Sequence, residues 1–294
     1  MSDISPEDKE TEVEIINAVR GDNPVTPTRL TEKDDFCFSC HSGVSCWNEC
    51  CHGADITLTP FDILSLSRHL NMKPSEFLLE YTVPDMWERA ELPVAKLKMS
   101  GDDGKGACSF MTDAGCSVYD DRPVTCRYYP LGSASVKMKG DEEKQDFFFL
   151  VKEDHCQGHK EDKKQTVADF RSEQGVGLYD EVNRGWIDIL MKMASWKNLG
   201  GPHGKDLAPQ VKQMFFMVST DVDALRKFVF ETKFLDTYEI DEETVEILKI
   251  NDEALLHLGF DWMQNVMFQE ETLSLKKTVL QGAIAKARND LGAS

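Results

Sequence analysis

Apolar positions in the second half of the chain recur at helical spacing. Leu178, Val182, Trp186, Ile189, Met193 and Trp196 lie three or four residues apart and predict one amphipathic helix. Earlier, Thr59-Pro60-Phe61-Asp62 carries a helix start: an N-cap threonine, proline at the first helical position, and a carboxylate three residues after the cap. Phe61, Leu64, Leu66 and Leu70 give that helix an apolar side to about Asn71, and a second helix opens at Pro74-Ser75 and runs through Phe77, Leu78 and Tyr81. Gly101-Asp-Asp-Gly-Lys-Gly106 reads as a turn. The compact apolar run Asp146–Val151 predicts a buried strand, and Gln213–Val218 is read the same way. Ser219 or Thr220 then caps a helix with Val222, Leu225, Val229 and Phe230 on its inner side. A last helix or pair of helices covers roughly Glu242–Ala287.

These elements sort into three stretches. Residues 1–33 are acidic, carry Pro6, Pro24 and Pro27, and hold one short apolar run at Val13–Val19; they read as a flexible tail with at most a short helix. Residues 34–160 form a loop-rich domain, and residues 161–294 a mostly helical C-terminal region. The expected fold class is α+β, mainly helical, with no internal repeat.

Charge narrows the partners. The chain of 294 residues has 33 basic and 52 acidic side chains, a formal net charge of -19. This excludes the positive face that nucleic acids and anionic membranes require. No run of about 18 apolar residues predicts a membrane span. The polar, acidic start has neither the basic nor the apolar region of a signal peptide. The expected location is cytoplasmic, where thiols stay reduced.

That expectation gives meaning to the cysteines. All nine fall between positions 37 and 156: Cys37, Cys40, Cys46, Cys50 and Cys51 in a tight first group, then Cys108, Cys116, Cys126 and Cys156. An odd number, an adjacent pair and a reducing compartment fit disulfides poorly. Convergent soft sulfurs are what thiolate metal sites need, and their number exceeds what one tetrahedral ion uses, which favours a cluster or two sites. The spacing matches neither a zinc ribbon with two separated C-x2-C knuckles nor the ferredoxin run.

In order, Cys37-Phe-Ser-Cys40, Cys50-Cys51, Ile56-Thr-Leu-Thr-Pro-Phe-Asp62, Cys108-Ser-Phe-Met111, Gly115-Cys116-Ser-Val-Tyr119 and Arg122-Pro-Val-Thr-Cys126-Arg-Tyr-Tyr-Pro130 resemble the CxxCxxCC or YkgJ-like family of zinc- or iron-chelating domains over residues 36 to 160. One departure stands out: five residues separate Cys40 from Cys46, where the family name implies two between its second and third cysteines. The resemblance implies iron-sulfur or zinc binding. The flagellin lysine N-methylase also resembles this family, which implies a protein-modifying activity as an alternative.

The resulting expectation is a metal-binding protein with Cys37, Cys40, Cys50, Cys51, Cys108, Cys116 and Cys126 as ligands and Cys46 and Cys156 next. They would hold an iron-sulfur cluster of the 4Fe-4S type, used with a redox or protein partner, or zinc as a structural staple. His41 and His52 are read as surface or supporting groups beside the sulfurs, and His155 and His159 as neighbours of Cys156. Arg122 and Arg127 either act through charge, offsetting the sulfurs or binding an anionic substrate, or clamp the local turn; Tyr128 and Tyr129 pack beside the site. No glycine-rich S-adenosylmethionine loop, C-x3-C-x2-C run, P-loop or H-E-x-x-H motif is present.

Overall fold

The computed structural model describes residues 29–136, 145–197 and 206–290. The fold is α+β and mainly helical, with small antiparallel sheets. By packing, the described chain divides into two compact units that are not continuous in sequence: one takes residues up to Asp55 together with Met99–Leu178, the other Ile56–Lys98 together with Tyr179 onward. The segment 56–98 lies inside the cysteine-bearing region of the sequence yet packs within the second unit. Among the described residues no helix is long and apolar enough to cross a membrane.

The first unit contains every cysteine. Strand β1 (Asp35–Cys37) pairs antiparallel with β9 (Lys164–Thr166), and β7 (Leu131–Val136) with β8 (Gln145–Leu150). Phe36, Phe38, Leu131, Phe148, Val167 and Phe170 form its apolar cluster, with Phe36 edge-on to Phe170 at 5.4 Å. Leu30 exchanges backbone hydrogen bonds with Phe148 at 2.7 and 2.9 Å, and Glu32 pairs with Arg171 at 2.5 Å, so the end of the expected tail is tied into this unit. The run Val13–Val19 lies outside the described residues.

In the second unit the two early helices form where the sequence places them, α1 at Pro60–His69 and α2 at Pro74–Tyr81. Thr59 Oγ1 accepts from Asp62 N (3.2 Å) while Asp62 carboxylate accepts from Thr59 N (2.8 Å), closing a buried capping box. A three-stranded sheet orders β2 (Thr57–Leu58), β4 (Leu92–Leu97) and β3 (Thr82–Trp87). The long amphipathic helix spans Val176–Lys197, the chain passing from one unit to the other within its first turn.

Three expectations are corrected here. Gln213–Val218 is not a strand but the middle of a helix, Pro209–Thr220. A short apolar run suits a buried helix as well as a strand. Proline at the helix start and the burial of Phe215, Val218 and Ser219, at spacings of three and four, decide for the helix. The cap of the next helix (Val222–Glu231) accordingly moves to Asp221, which accepts from Ala224 N at 2.9 Å. Three helices, Glu242–Ile250, Asp252–Phe268 and Lys277–Asp290, replace the last one or two, because Asn251 leaves helical geometry (φ -112°) and caps its successor.

Thr59→Ala removes one arm of the capping box and leaves Asp62 N unsatisfied. It is expected to lower stability by about 1 kcal/mol, read as a fall in the urea midpoint at unchanged slope; an unchanged midpoint would show that the box is dispensable.

Candidate metal centre

The loop from Cys40 to Cys51 is a chain of tight turns. Val44 N donates to His41 O, Trp47 N to Val44 O, Glu49 N to Cys46 O and Cys51 N to Asn48 O, each at 3.0 Å. Asn48 stands in the left-handed region (φ 68°), and its side chain donates to Thr112 O at 2.9 Å. Turning this often, the chain holds four sulfurs in a small volume, with the single 3-10 turn Glu49–Cys51 as its regular structure.

The distant cysteines are brought in by backbone pairing. Cys108 N donates to Cys51 O at 2.7 Å, Gly53 N donates to Gly106 O at 3.0 Å, and His52 bridges Ala107 antiparallel. Cys116 lies opposite Met111 in the short hairpin Met111–Thr112 with Gly115–Cys116. Gly115 has φ +114° and Trp47 lies so close that an added Cβ would sit 2.7 Å from its ring, so only glycine lets the indole pack there. Cys126 sits on the short helix Val124–Tyr128. Ser39 N donates to Gly158 O at 3.1 Å, bringing the chain beside Cys40 against the segment that carries Cys156.

Backbone amides point at the sulfurs. Gln157 N donates to Cys46 Sγ at 3.2 Å and Phe110 N to Cys108 Sγ at 3.5 Å. Met111 also donates toward Cys108, and Val118 toward Cys116. Such bonds favour the thiolate over the thiol.

The nine thiols are free, and eight of them feel one another. Cys40 interacts with Cys46, Cys50 and Cys156; Cys51 with Cys50, Cys108 and Cys126; Cys108 and Cys116 with each other and with Cys50. Crowding by protein atoms and then by neighbouring sulfurs pushes Cys40 up to about 11, although its surface is open to water. Burial foremost also raises Cys108 and Cys116. Cys51 donates a hydrogen bond to Cys50, so the pair releases one proton first: Cys50 is lowered to about 7 and Cys51 is raised. Cys37 takes no part in these ties. It is exposed on β1 opposite Lys164, whose ammonium is held first by Asp35 and also by the Cys37 sulfur.

The arginines take both expected roles. Arg127 Nε donates to Arg122 O at 3.0 Å and Nη1 to Gln174 O at 2.9 Å, and Nη2 reaches Asp120 O, which is a clamp on the turn. Arg122 donates to Tyr119 O at 2.6 Å and to the Gln174 side chain, and its buried guanidinium also feels the Cys116 and Cys126 sulfurs. The histidines point elsewhere: His41 Nε2 to Glu161 (3.2 Å), His52 Nδ1 to Asn48 O (3.2 Å), His159 Nε2 to Val151 O (3.0 Å), and His155 toward Glu153 (3.6 Å).

Residues 39–157 match one family model, CxxCxxCC, described as a putative zinc- or iron-chelating domain. Over this segment the chain is similar to the CxxCxxCC domain. No curated protein and no solved structure matches the chain. The match contains eight of the cysteines and begins after Cys37.

A bound metal fits these residues by donor chemistry. Soft thiols are gathered, amides point at them, and the mutual upward push on their protons is what a cation reverses. In the cysteine loop Trp47 Nε1 is buried without a hydrogen-bond partner, and the Tyr129 hydroxyl is buried beside the Cys156 sulfur. Among the described residues no three His, Cys, Asp or Glu side chains already close on one point. Ligation therefore requires the thiols to turn inward about their side-chain bonds.

In the metal-free, reduced protein, Cys50 is expected to alkylate first. Its lowered pKa makes the reactive thiolate plentiful near neutrality, and its rate should rise through about pH 7. Cys40, raised to about 11, stays protonated and slow. Peptide mass spectrometry after timed iodoacetamide pulses checks this order; equal rates at both would overturn it.

Proposed function

We propose that the CxxCxxCC domain of this chain carries an iron-sulfur centre on its clustered thiolates and serves in electron transfer or redox sensing with a protein partner. The observation that carries the reading is the network of eight mutually interacting sulfurs, more than one tetrahedral ion can use. The unpartnered Trp47 N–H supports it, since inorganic sulfide and cysteine sulfur both accept such bonds. Hydrogen bonds and charge near the sulfurs tune the potential of such a centre, and here Gln157 N, Phe110 N and the Arg122 guanidinium supply both. The centre, when bound, would supply one-electron chemistry.

A second reading has its own support. The segments that hold the cysteines between Cys40 and Asp55 and between Met99 and Cys126 are turns, bridges, two-residue strands and helical pieces of five residues or fewer, with few buried apolar side chains beyond Val44, Met99, Phe110 and Val118. A zinc-thiolate staple would offset that thin core, because metal binding to such a domain is folding free energy.

Protein purified without oxygen is expected to hold iron with matching acid-labile sulfide and a broad visible absorption. Zinc without sulfide, persisting after reconstitution with iron and sulfide, would move the protein to the structural reading. Under either, Cys50→Ser and Cys126→Ser should each lose at least half of the bound metal; full occupancy in both would sink the assignment of these sulfurs.

A further inference from the structure

The eight sulfurs fall into two groups, and the division is visible in the backbone. Cys46 Sγ receives the amide of Gln157, the residue after Cys156, at 3.2 Å. Ser39, the residue before Cys40, is hydrogen-bonded to Gly158 at 3.1 Å. Cys40, Cys46 and Cys156 are thus gathered where the turn loop meets the chain at 156–158. On the other side, Cys108 is bound to Cys51 by the 2.7 Å amide bond, Met111 N bonds Cys108 O at 3.0 Å, and Met111 pairs with Cys116 in the hairpin. Cys126 joins this second set through its interactions with Cys51 and with Arg122, which also feels Cys116.

Cys50 and Cys51 sit where the groups meet. Cys50 interacts with Cys40 of the first set and with Cys108 and Cys116 of the second, Cys51 interacts with Cys108 and Cys126 of the second, and the two share a hydrogen bond. The two sulfurs are within hydrogen-bond reach of each other on one 3-10 turn, so the pair can stand at the junction of two neighbouring centres. Counting Cys50 with the first and Cys51 with the second leaves four sulfurs on each side, the number a tetrahedral thiolate site or a cubane cluster takes.

We propose that the chain binds two thiolate metal centres side by side, one on Cys40, Cys46, Cys50 and Cys156 and the other on Cys51, Cys108, Cys116 and Cys126, with the Cys50-Cys51 peptide as their junction. This rests on the metal-thiolate reading above but not on the identity of the metal. The Tyr129 hydroxyl beside Cys156 belongs to the first centre, and the buried Arg122 guanidinium to the second. The two centres therefore differ in charge and polarity around them, and one partner-facing redox property need not be shared by both.

Cobalt(II) titration of the reduced, metal-free full chain without oxygen tests the division, because thiolate-bound cobalt is coloured and can be counted. The wild type is expected to saturate at about two equivalents with the intense charge-transfer bands of four-sulfur sites. Cys156→Ser and Cys46→Ser should each disturb one centre and leave the other at full four-sulfur intensity, and Cys116→Ser and Cys108→Ser should do the converse. Saturation of the wild type at one equivalent overturns the two-centre proposal while leaving the metal-thiolate reading intact. Loss of both equivalents in all four variants, with far-ultraviolet circular dichroism unchanged, overturns it too. If no cobalt-thiolate bands form at all, both readings fail. Iron and sulfide analysis of the protein as purified decides separately between iron-sulfur and zinc.

Discussion

The cysteine unit depends on solving one electrostatic problem. Sulfurs brought close together resist ionising, because each thiolate raises the cost of the next and burial raises it for all. Cys40, Cys51, Cys108 and Cys116 all show that upward push. The chain answers it with amide donors at Cys46 and Cys108, with a proton shared between Cys50 and Cys51, and with one buried guanidinium at Arg122. One arginine against eight thiols is a small offset. A cation of higher charge completes it, which is why a metal-chelating domain and this arrangement belong together.

Holding the sulfurs in place is a separate task, and apolar packing does little of it. The Phe36, Phe38, Leu131, Phe148, Val167 and Phe170 cluster anchors the strands β1, β7, β8 and β9, and only Cys156 among the cysteines packs against it. The rest are fixed by backbone bonds: successive turns from His41 to Cys51, the Cys51–Cys108 bond, the Asn48 contact to Thr112, and the Arg127 clamp on three carbonyls. The neutral bonds among these contribute about 1 kcal/mol net each, and those from the charged Arg127 about twice that. Small rotations of the thiols therefore cost little, and that freedom lets side chains that do not yet close on a point do so around an ion.

Much of this was legible in the sequence, for reasons that differ by element. The helix at Pro60 was readable because its signal is local: Thr59, Pro60 and Asp62 act within four residues. The cysteine grouping and the family resemblance were legible because soft-ligand chemistry restricts which residues serve. Gln213–Val218 was misread because five apolar residues carry no period that separates helix from strand, and the burial of Phe215, Val218 and Ser219 was settled only by packing. The hairpin of Thr82–Trp87 with Leu92–Leu97 was missed for a related reason: β3 is half exposed, and its exposed residues are the apolar Val83, Pro84 and Met86, so no apolar-in, polar-out alternation marks it. At the centre, the sequence placed Cys37 with the other ligands through its C-x2-C spacing. Its outward position on β1 follows from Phe36 pointing into the core, a constraint two residues of spacing do not reveal.

The pairing of Cys51 with Cys108 shows how sequence distance is overcome. A disordered loop between them would carry a closure cost that grows with its length. Here the intervening segment is structured, and its two ends meet: Leu97 N donates to Ile56 O at 2.9 Å, and β2 pairs with β4 through Thr57 with Lys96. The cysteine strands meet in their turn through Gly53 with Gly106 and His52 with Ala107. Because the segment 56–98 folds within its own unit, the entropy of ordering it is offset by burial of Leu58, Phe61, Ile63, Leu66, Phe77 and Leu92. The sulfurs of Cys51 and Cys108 are then neighbours through chain connectivity already stabilised elsewhere. A metal joining them has little left to order beyond the side chains themselves.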